Sequence, residues 1–295
     1  MANYKLLYNP FANNGKGKEE SEQIFKVMPD DKIELVDMTK IDSYADYFAS
    51  LDSDTKTILS GGDGTLNRFI NSVDESLIKA NDIYYFATGT GNDFLFDIGG
   101  KKGDAPILIN KYLVELPTVE IDGKVSKFVN GVGYGIDGYC CEEGDRLRAI
   151  SDKPINYTSI AINGLLFKFK PADAVVTVDG VTKSYKKCWL APMMNGRCYG
   201  GGMIAAPDQD RLNKERKLTL LVWHGSGKLN TLIHFPKIFE GAHTKYTKMC
   251  DVITGYDITV EFSKPIAAQI DGETVLGVTK CHAKSYALKK EEATV

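Results

Sequence analysis

The sequence predicts an α/β domain with a parallel sheet followed by an antiparallel β-sandwich domain. Three observations carry this reading. Strand-like and helix-like segments alternate over the first 115 residues. Three of the strand-like segments end in loops of Gly, Asn, Thr and Asp. From about residue 119 short β-rich segments take over, many separated by Asp-Gly turns. Alternation of strand and helix builds βαβ units, and closely spaced short strands build a sandwich.

The elements follow in order. Lys5-Leu6-Leu7-Tyr8 is an apolar strand, and Asn9–Gly17 is its loop. A polar helical stretch covers Glu19–Met28, and Lys32–Val36 is a second strand. Thr57-Ile58-Leu59 runs into Gly61-Gly62-Asp63-Gly64-Thr65 and an amphipathic helix from Leu66. Ile83–Ala87 runs into Gly89-Thr90-Gly91-Asn92-Asp93. In an open α/β sheet ligands sit beyond the carboxyl ends of the strands, so these three loops are expected to share a site. Beyond residue 119, strands are expected at Ala174–Val178, Cys188–Met193, Leu218–Trp223, Ile258–Phe262 and Ile266–Ile270. Asp122-Gly123, Asp179-Gly180 and Asp271-Gly272 are hairpin signals. One helix is expected over Asn156–Phe169, docking at a membrane through Leu165 and Phe169, lining an acyl-chain pocket, or capping the sandwich core. The expected domains are 1–118, joined by 284–295, and 119–283.

Composition excludes several classes. With 43% hydrophobic residues the 295-residue chain can bury a sizeable core. A net charge of −3 carries no basic footprint of a nucleic-acid binder. No signal-peptide pattern and no run of 18 apolar residues occurs, so a cytoplasmic protein is expected. Six cysteines without a CxxC pair read as free thiols, and four histidines show no metal-ligand spacing.

The loops carry the chemistry. Successive glycines in Gly61–Thr65 let backbone approach a ligand, and the following helix adds its positive end to a phosphate site. Asp63 repels phosphate unless it holds Mg²⁺ or metal-bound water. Gly89–Asp93 repeats this logic with Thr90, Asn92 and a second carboxylate. Lys16 is a point charge for a phosphate.

Asn9-Pro10 with Gly15-Lys16-Gly17, then GGDGTLN at Gly61–Asn67 and GTGNDF at Gly89–Phe94, resembles the diacylglycerol kinase catalytic domain of bacterial lipid kinases and their sphingosine kinase relatives. The resemblance continues through Phe128-Val129-Asn130, Asn195-Gly196, Gly200–Met203, Pro207, Gly241–Lys245 and Ile270–Glu273. It implies a nucleotide-binding α/β domain and ATP-dependent phosphorylation of a lipid hydroxyl, diacylglycerol first. Nucleotide contacts would come from Asn9, Lys16, Gly61, Gly62, Gly64, Thr65, Asn67, Gly89, Thr90 and Asn92. Asp63 and Asp93 would be catalytic and, with Glu120, would hold Mg²⁺ directly or through water. Glu273 would be the general base, with Asp271 the next candidate. The partner would be a lipid at a membrane surface visited from the cytoplasm, with a homodimer left open.

Three departures accompany the resemblance. Arg68 stands where the family commonly has Glu, Glu120 where it usually has Asp, and the basic Arg211–Lys217 where an Asp-Asp-Gly-type turn and a structural metal are common. The alternatives are a soluble NAD kinase-like enzyme, because NAD kinases share the GGDG loop, and a catalytically silent nucleotide or lipid sensor.

Overall fold

The computed structural model describes residues 2–151 and 155–288. The chain divides into two compact units, Met1–Leu116 and Pro117–Val295.

In the first unit, β1 (Asn3–Tyr8), β2 (Lys32–Asp37), β3 (Thr55–Gly61) and β4 (Ile83–Ala87) run parallel in the order β2-β1-β3-β4. A short β5 (Ile107–Leu108) adds antiparallel to β4, so the sheet is mixed but mostly parallel. Leu6, Leu7, Ile58 and Leu59 have no exposed surface. Consecutive buried residues mark strands covered on both faces. Helix α1 (Asp63–Ser72) follows β3 and buries Thr65, Leu66, Phe69 and Ile70. Helix α2 (Asp93–Asp97) follows the β4 loop. The helix expected over Glu19–Met28 is broken into Gly17–Ser21 and Ile24–Val27. Only Gly17, Ser21 and Ile24 are buried in these pieces, too narrow a stripe to hold one helix against the sheet.

The second unit is antiparallel throughout. Its strands are β6 (Thr118–Ile121), β7 (Lys124–Lys127), β8 (Gly131–Tyr134), β9 (Ala172–Val178), β10 (Val181–Cys188), β11 (Met193–Met194), β12 (Cys198–Tyr199), β13 (Met203–Ile204), β14 (Leu218–Trp223), β15 (Cys250–Gly255), β16 (Asp257–Ile270) and β17 (Glu273–Lys284). The main sheet runs β15-β14-β11-β8-β16-β17-β6-β7, and β9 with β10 joins β16. The two strands expected at 258–262 and 266–270 are one strand. Its first half pairs with β9 through Ile258–Phe262, and its second half with β8 through Ala268–Ile270. Register against β17 shifts between Glu261 and Ile266, around Pro265, which has no N–H to give a ladder. The strand expected over Cys188–Met193 is likewise interrupted, β10 ending at Cys188 and β11 starting after Pro192.

All three Asp-Gly turns are two-residue hairpins with positive φ at both positions: 50° and 75° at Asp122-Gly123, 48° and 80° at Asp179-Gly180, 48° and 95° at Asp271-Gly272. That is the type I′ geometry whose twist matches the flanking strands.

Two helices shape the rest. Helix α3 (Ile136–Arg148) starts after Gly135 at φ 110° and was not foreseen. Helix α4 (Tyr157–Asn163) passes into a π-helical turn, Gly164–Lys168, where Phe169 N–H reaches Gly164 O five residues back. The turn puts Leu165 and Phe169 in the core, at 0% and 6% exposure, and leaves Phe167 71% exposed. The docking role expected of Leu165 and Phe169 is therefore corrected: they are core residues, as the capping alternative required.

Lys284, expected to begin a return to the first domain, ends β17, and Ser285 N–H donates to Tyr256 O. Residues 289–295 lie outside the described residues. All six cysteines are free, and no helix among the described residues is long and apolar enough to cross a membrane.

Candidate active site

In the first unit β1, β3 and β4 are neighbours, with Tyr8 level with Ser60 and Ser60 level with Phe86. Their three loops therefore leave the sheet side by side, and they are tied together. Asn13, in the β1 loop, donates from Nδ2 to Thr88 O at 2.8 Å. Gly61 O accepts from Thr88 N, Gly89 N and the Tyr85 hydroxyl. The backbones of Gly62 and Gly89 lie in contact, and a Cβ on Gly89 would meet Gly62 Cα at 2.5 Å. Both glycines are required by close approach.

Asp63 is the first residue of α1, and its carboxylate reaches the neighbouring loop. Oδ2 accepts from Asp93 N at 2.9 Å and Oδ1 from Phe94 N at 3.0 Å. It thus caps α2 from another segment and sets the spacing of the two glycine loops. Asp93 is buried beneath it. The amides of Gly62, Gly64, Thr90 and Gly91 have no partner among the described residues. They are the donors an anion would use. Thr65 is buried behind Gly61, and Asn67 O accepts from the Asn71 amide one turn on. Asn92 donates to Gly89 O at 2.8 Å, while its own Oδ1 is buried without a partner.

The β1 loop has the sharpest backbone. Asn13, Asn14 and Gly15 are successively left-handed, at φ 51°, 57° and 84°. Asn9 Oδ1 accepts from Phe11 N and shapes the entry of this loop. Lys16 is exposed at its exit.

Two residues here were missed from sequence. Tyr85 is buried against Phe94, and its phenol is held well above its ordinary range by burial and then by the Asp63 and Asp93 charges. It is locked as a neutral donor to Gly61 O. Lys102 bonds Thr88 O at 3.1 Å and Gly89 O at 3.3 Å and pairs with Glu20 at 3.7 Å. Nothing in the local pattern marks this lysine; only the fold returns it to the β4 loop.

Arg68 is exposed on α1 and lines a hollow of about 490 Å³ with Thr39, Ser43, Tyr44, Ser72 and Asp74. Gly64, Arg68 and Ser72 recur every four residues and so share one face of the helix.

In the second unit, Asp271 and Glu273 part company. Asp271 is buried and accepts three backbone amides, Val129 N at 2.6 Å, Asn130 N at 2.8 Å and Gly131 N at 3.0 Å. Glu273, two residues on, is exposed at the start of β17. The same segment is held from the other side. Asn195 Nδ2 donates to Val129 O at 2.8 Å, and buried Arg211 reaches Asn130 Oδ1 at 3.2 Å. The Arg211–Lys217 turn thus brings a guanidinium to backbone and amide oxygens. Glu120 lies exposed in β6, opposite His282. Asp63 and Asp93 belong to the first unit and Glu120 to the second; among the described residues no group of three His, Cys, Asp or Glu could hold a metal ion. In the first unit the Asp63 and Asp93 carboxylates and the buried, unpartnered Asn92 Oδ1 are hard oxygens of the kind Mg²⁺ takes.

Comparison with known proteins agrees with this division. Residues 3–121 match the diacylglycerol kinase catalytic domain, and residues 130–284 match the YegS C-terminal NAD kinase beta sandwich-like domain. The diacylglycerol kinase of Mycobacterium tuberculosis (strain H37Rv) is 26% identical over 195 residues, 64% of this chain and 61% of that protein. The matched stretch thus spans about three fifths of that relative. YtlR of Bacillus subtilis (strain 168) is 23% identical over 306 residues, covering 95% of each chain. A crystal structure of a diacylglycerol kinase from Bacillus anthracis superposes with a TM-score of 0.57 at 19% identity, over 96% of this chain and 93% of that one, a likeness of fold. With both family domains present in order over nearly its whole length, the chain belongs to the bacterial diacylglycerol kinase family of lipid kinases.

Proposed function

We propose that the chain transfers the γ-phosphoryl group of ATP to the hydroxyl of a lipid, diacylglycerol first. The observation that supports it best is the pair of glycine loops pinned by Asp63, with four backbone amides turned away from protein partners. Amides fixed before the substrate arrives stabilise phosphate charge without reorganising. Gly61, Gly62, Gly64, Thr65, Gly89, Thr90 and Asn92 form this cradle. Lys16 and Lys102 add positive charge, and Asn9 and Asn67 shape its edges. From Gly64 to Arg68 α1 rises about 6 Å, which sets the Arg68 hollow where the nucleoside of a bound nucleotide would extend.

Mg²⁺, when bound with the nucleotide, neutralises charge on the β- and γ-phosphates. Asp63, Asp93 and the Asn92 oxygen are the groups of this chain that would hold it, with Glu120 acting through water. A carboxylate retains further lone pairs after accepting one amide on each oxygen, so Asp63 can do both. Glu273 is the general base: it is the exposed acid of its turn, and a lipid hydroxyl needs its proton removed as transfer proceeds. The protein acts from the cytoplasm at a membrane surface, where its substrate lives.

Labelled ATP with a panel of hydroxylated lipids in mixed micelles, and NAD as a soluble acceptor, tests the reading. A labelled lipid is the expected product, with kcat reduced about 10²–10⁴-fold in Glu273→Gln and nucleotide binding retained. Labelling of NAD alone would move the chain to the soluble kinases. Nucleotide binding without any turnover would favour the sensor.

A further inference from the structure

A second feature lies in the β-sandwich unit, and none of the residues assigned to chemistry lines it. A hollow of about 360 Å³ opens between α3, the π-helical turn and the bend of the β16–β17 hairpin. Its lining includes Lys168, Lys170 and Lys264 around a floor of Tyr139, Phe169 and Ile266. Lys264 reaches across from the hairpin to donate to Lys170 O at 3.0 Å, which ties the two walls together. Glu142 is the one acidic residue in the lining. Three cations against one anion make this spot positive in a chain whose net charge is −3.

Beside the lysines stand large apolar side chains that the fold leaves in water. Phe167 is 71% exposed, next to Lys168, and Leu276 in the lining is 63% exposed. Helix 228–234 lies alongside, because Lys228 donates to Leu166 O at 3.0 Å, and it exposes Leu229 and Ile233. An exposed apolar cluster interleaved with lysines calls for a partner that is both anionic and oily.

We propose that this hollow and its apolar rim dock the protein on an anionic phospholipid bilayer, with a phosphodiester headgroup among Lys168, Lys170 and Lys264 and with Phe167 and Leu276 in the acyl boundary. Charge complementarity selects this occupant. A lysine near an anionic membrane surface strengthens binding severalfold, and an apolar side chain inserts only where lipid replaces water. A soluble anion would use the lysines and leave Phe167 and Leu276 unexplained. The proposal rests on the lipid-kinase reading but concerns a surface that none of the proposed catalytic residues lines.

Vesicle flotation of the full chain tests it, with phosphatidylglycerol-containing vesicles against pure phosphatidylcholine. The wild type is expected to bind the first and not the second, and to release as salt rises. Lys168→Gln with Lys264→Gln should bind about 30-fold more weakly, counting roughly fivefold per lysine. Glu142→Gln should bind more tightly, a gain that loss of structure cannot mimic. Phe167→Ser should weaken binding at every salt concentration. These side chains are exposed, and unchanged thermal unfolding checks that the variants fold. Activity on a short-chain, water-dispersed diacylglycerol separates the two readings: the double variant should keep wild-type turnover there while losing vesicle binding. Equal binding of the wild type to both vesicles, or of the double variant and the wild type to phosphatidylglycerol, overturns the docking surface. Absence of turnover in the wild type overturns the kinase reading and leaves the vesicle result standing on its own.

Discussion

Two aspartates, one in each unit, use backbone amides in different ways. In the first unit Asp63 accepts two amides from the adjoining loop and remains at the centre of the glycine cradle. In the second unit Asp271 accepts three amides and is buried, while the neighbouring Glu273 stays exposed. On the proposed function, the first unit would ask one carboxylate to hold the loops and face the ligand, and the second would divide those tasks between two acids on one hairpin. Holding and chemistry should therefore be separable by mutation in the second unit and inseparable in the first.

The largest effect is expected at Asp63. Asp63→Ala should lower turnover by about 10³-fold, the upper end for losing one preorganised electrostatic element, and should loosen the cradle as well. Nucleotide affinity by calorimetry must fall with kcat; a variant with intact affinity would show that Asp63 does not hold the loops. Asp271→Ala comes next. It strands three buried amides, at roughly 1–3 kcal/mol each, and should appear as a loss of stability in denaturant unfolding. Asp271→Ala unfolding like the wild type would break the division of labour, and so would a Glu273→Gln variant that lost stability along with kcat.

A third carboxylate sharpens the comparison because amides do not hold it at all. Asp137 is buried at the start of α3, and its Oδ2 has no partner. Burial pushes its pKa up to about 7, and the nearby Tyr199 phenol offsets only part of that. The sign follows. The unfolded chain ionises near the ordinary value of 3.8, so the native state binds the extra proton between there and about 7. Stability from this group is greatest at low pH, falls as pH rises through that window, and is level above it. Asp137→Asn should remove the fall, stabilising the protein at pH 8 by at most about 4 kcal/mol, at 1.36 kcal/mol per pKa unit, with little change at pH 4. A pH series of unfolding midpoints decides this.

The smallest effect belongs to Gly272. Its φ of 95° suits glycine, and a Cβ there meets nothing within 4 Å. Gly272→Ala should cost only backbone strain, about 1–2 kcal/mol, read as a modest shift in melting temperature.

The loops and turns of both units were legible in sequence because their chemistry is local. Gly61–Thr65, Gly89–Asp93 and the three Asp-Gly hairpins announce their own backbone geometry. What escaped reading was set by distant partners. Helix α3 carries Gly138 and Gly144, which weaken a helical pattern. In the fold Gly138 gives way to the Ala267 backbone and Gly144 to the Tyr157 ring, so packing rather than propensity makes the helix. The exposure of Phe167 and burial of Leu165 depend on a π-helical turn that breaks the 3.6-residue period. Lys102 reaches the cradle from a segment with no signature.

The bent β16–β17 hairpin has a consequence for synthesis. Val129, Asn130 and Gly131 leave the ribosome about 140 residues before Asp271, the acid that satisfies their amides. At about 5–20 residues per second the gap lasts roughly 7–28 s. Through that interval β8 lacks β16 on one side, and its edge is open to any strand that comes near. The sandwich therefore closes only when its last hairpin emerges, and a nascent chain stalled before residue 271 is the form most exposed to aggregation and proteolysis.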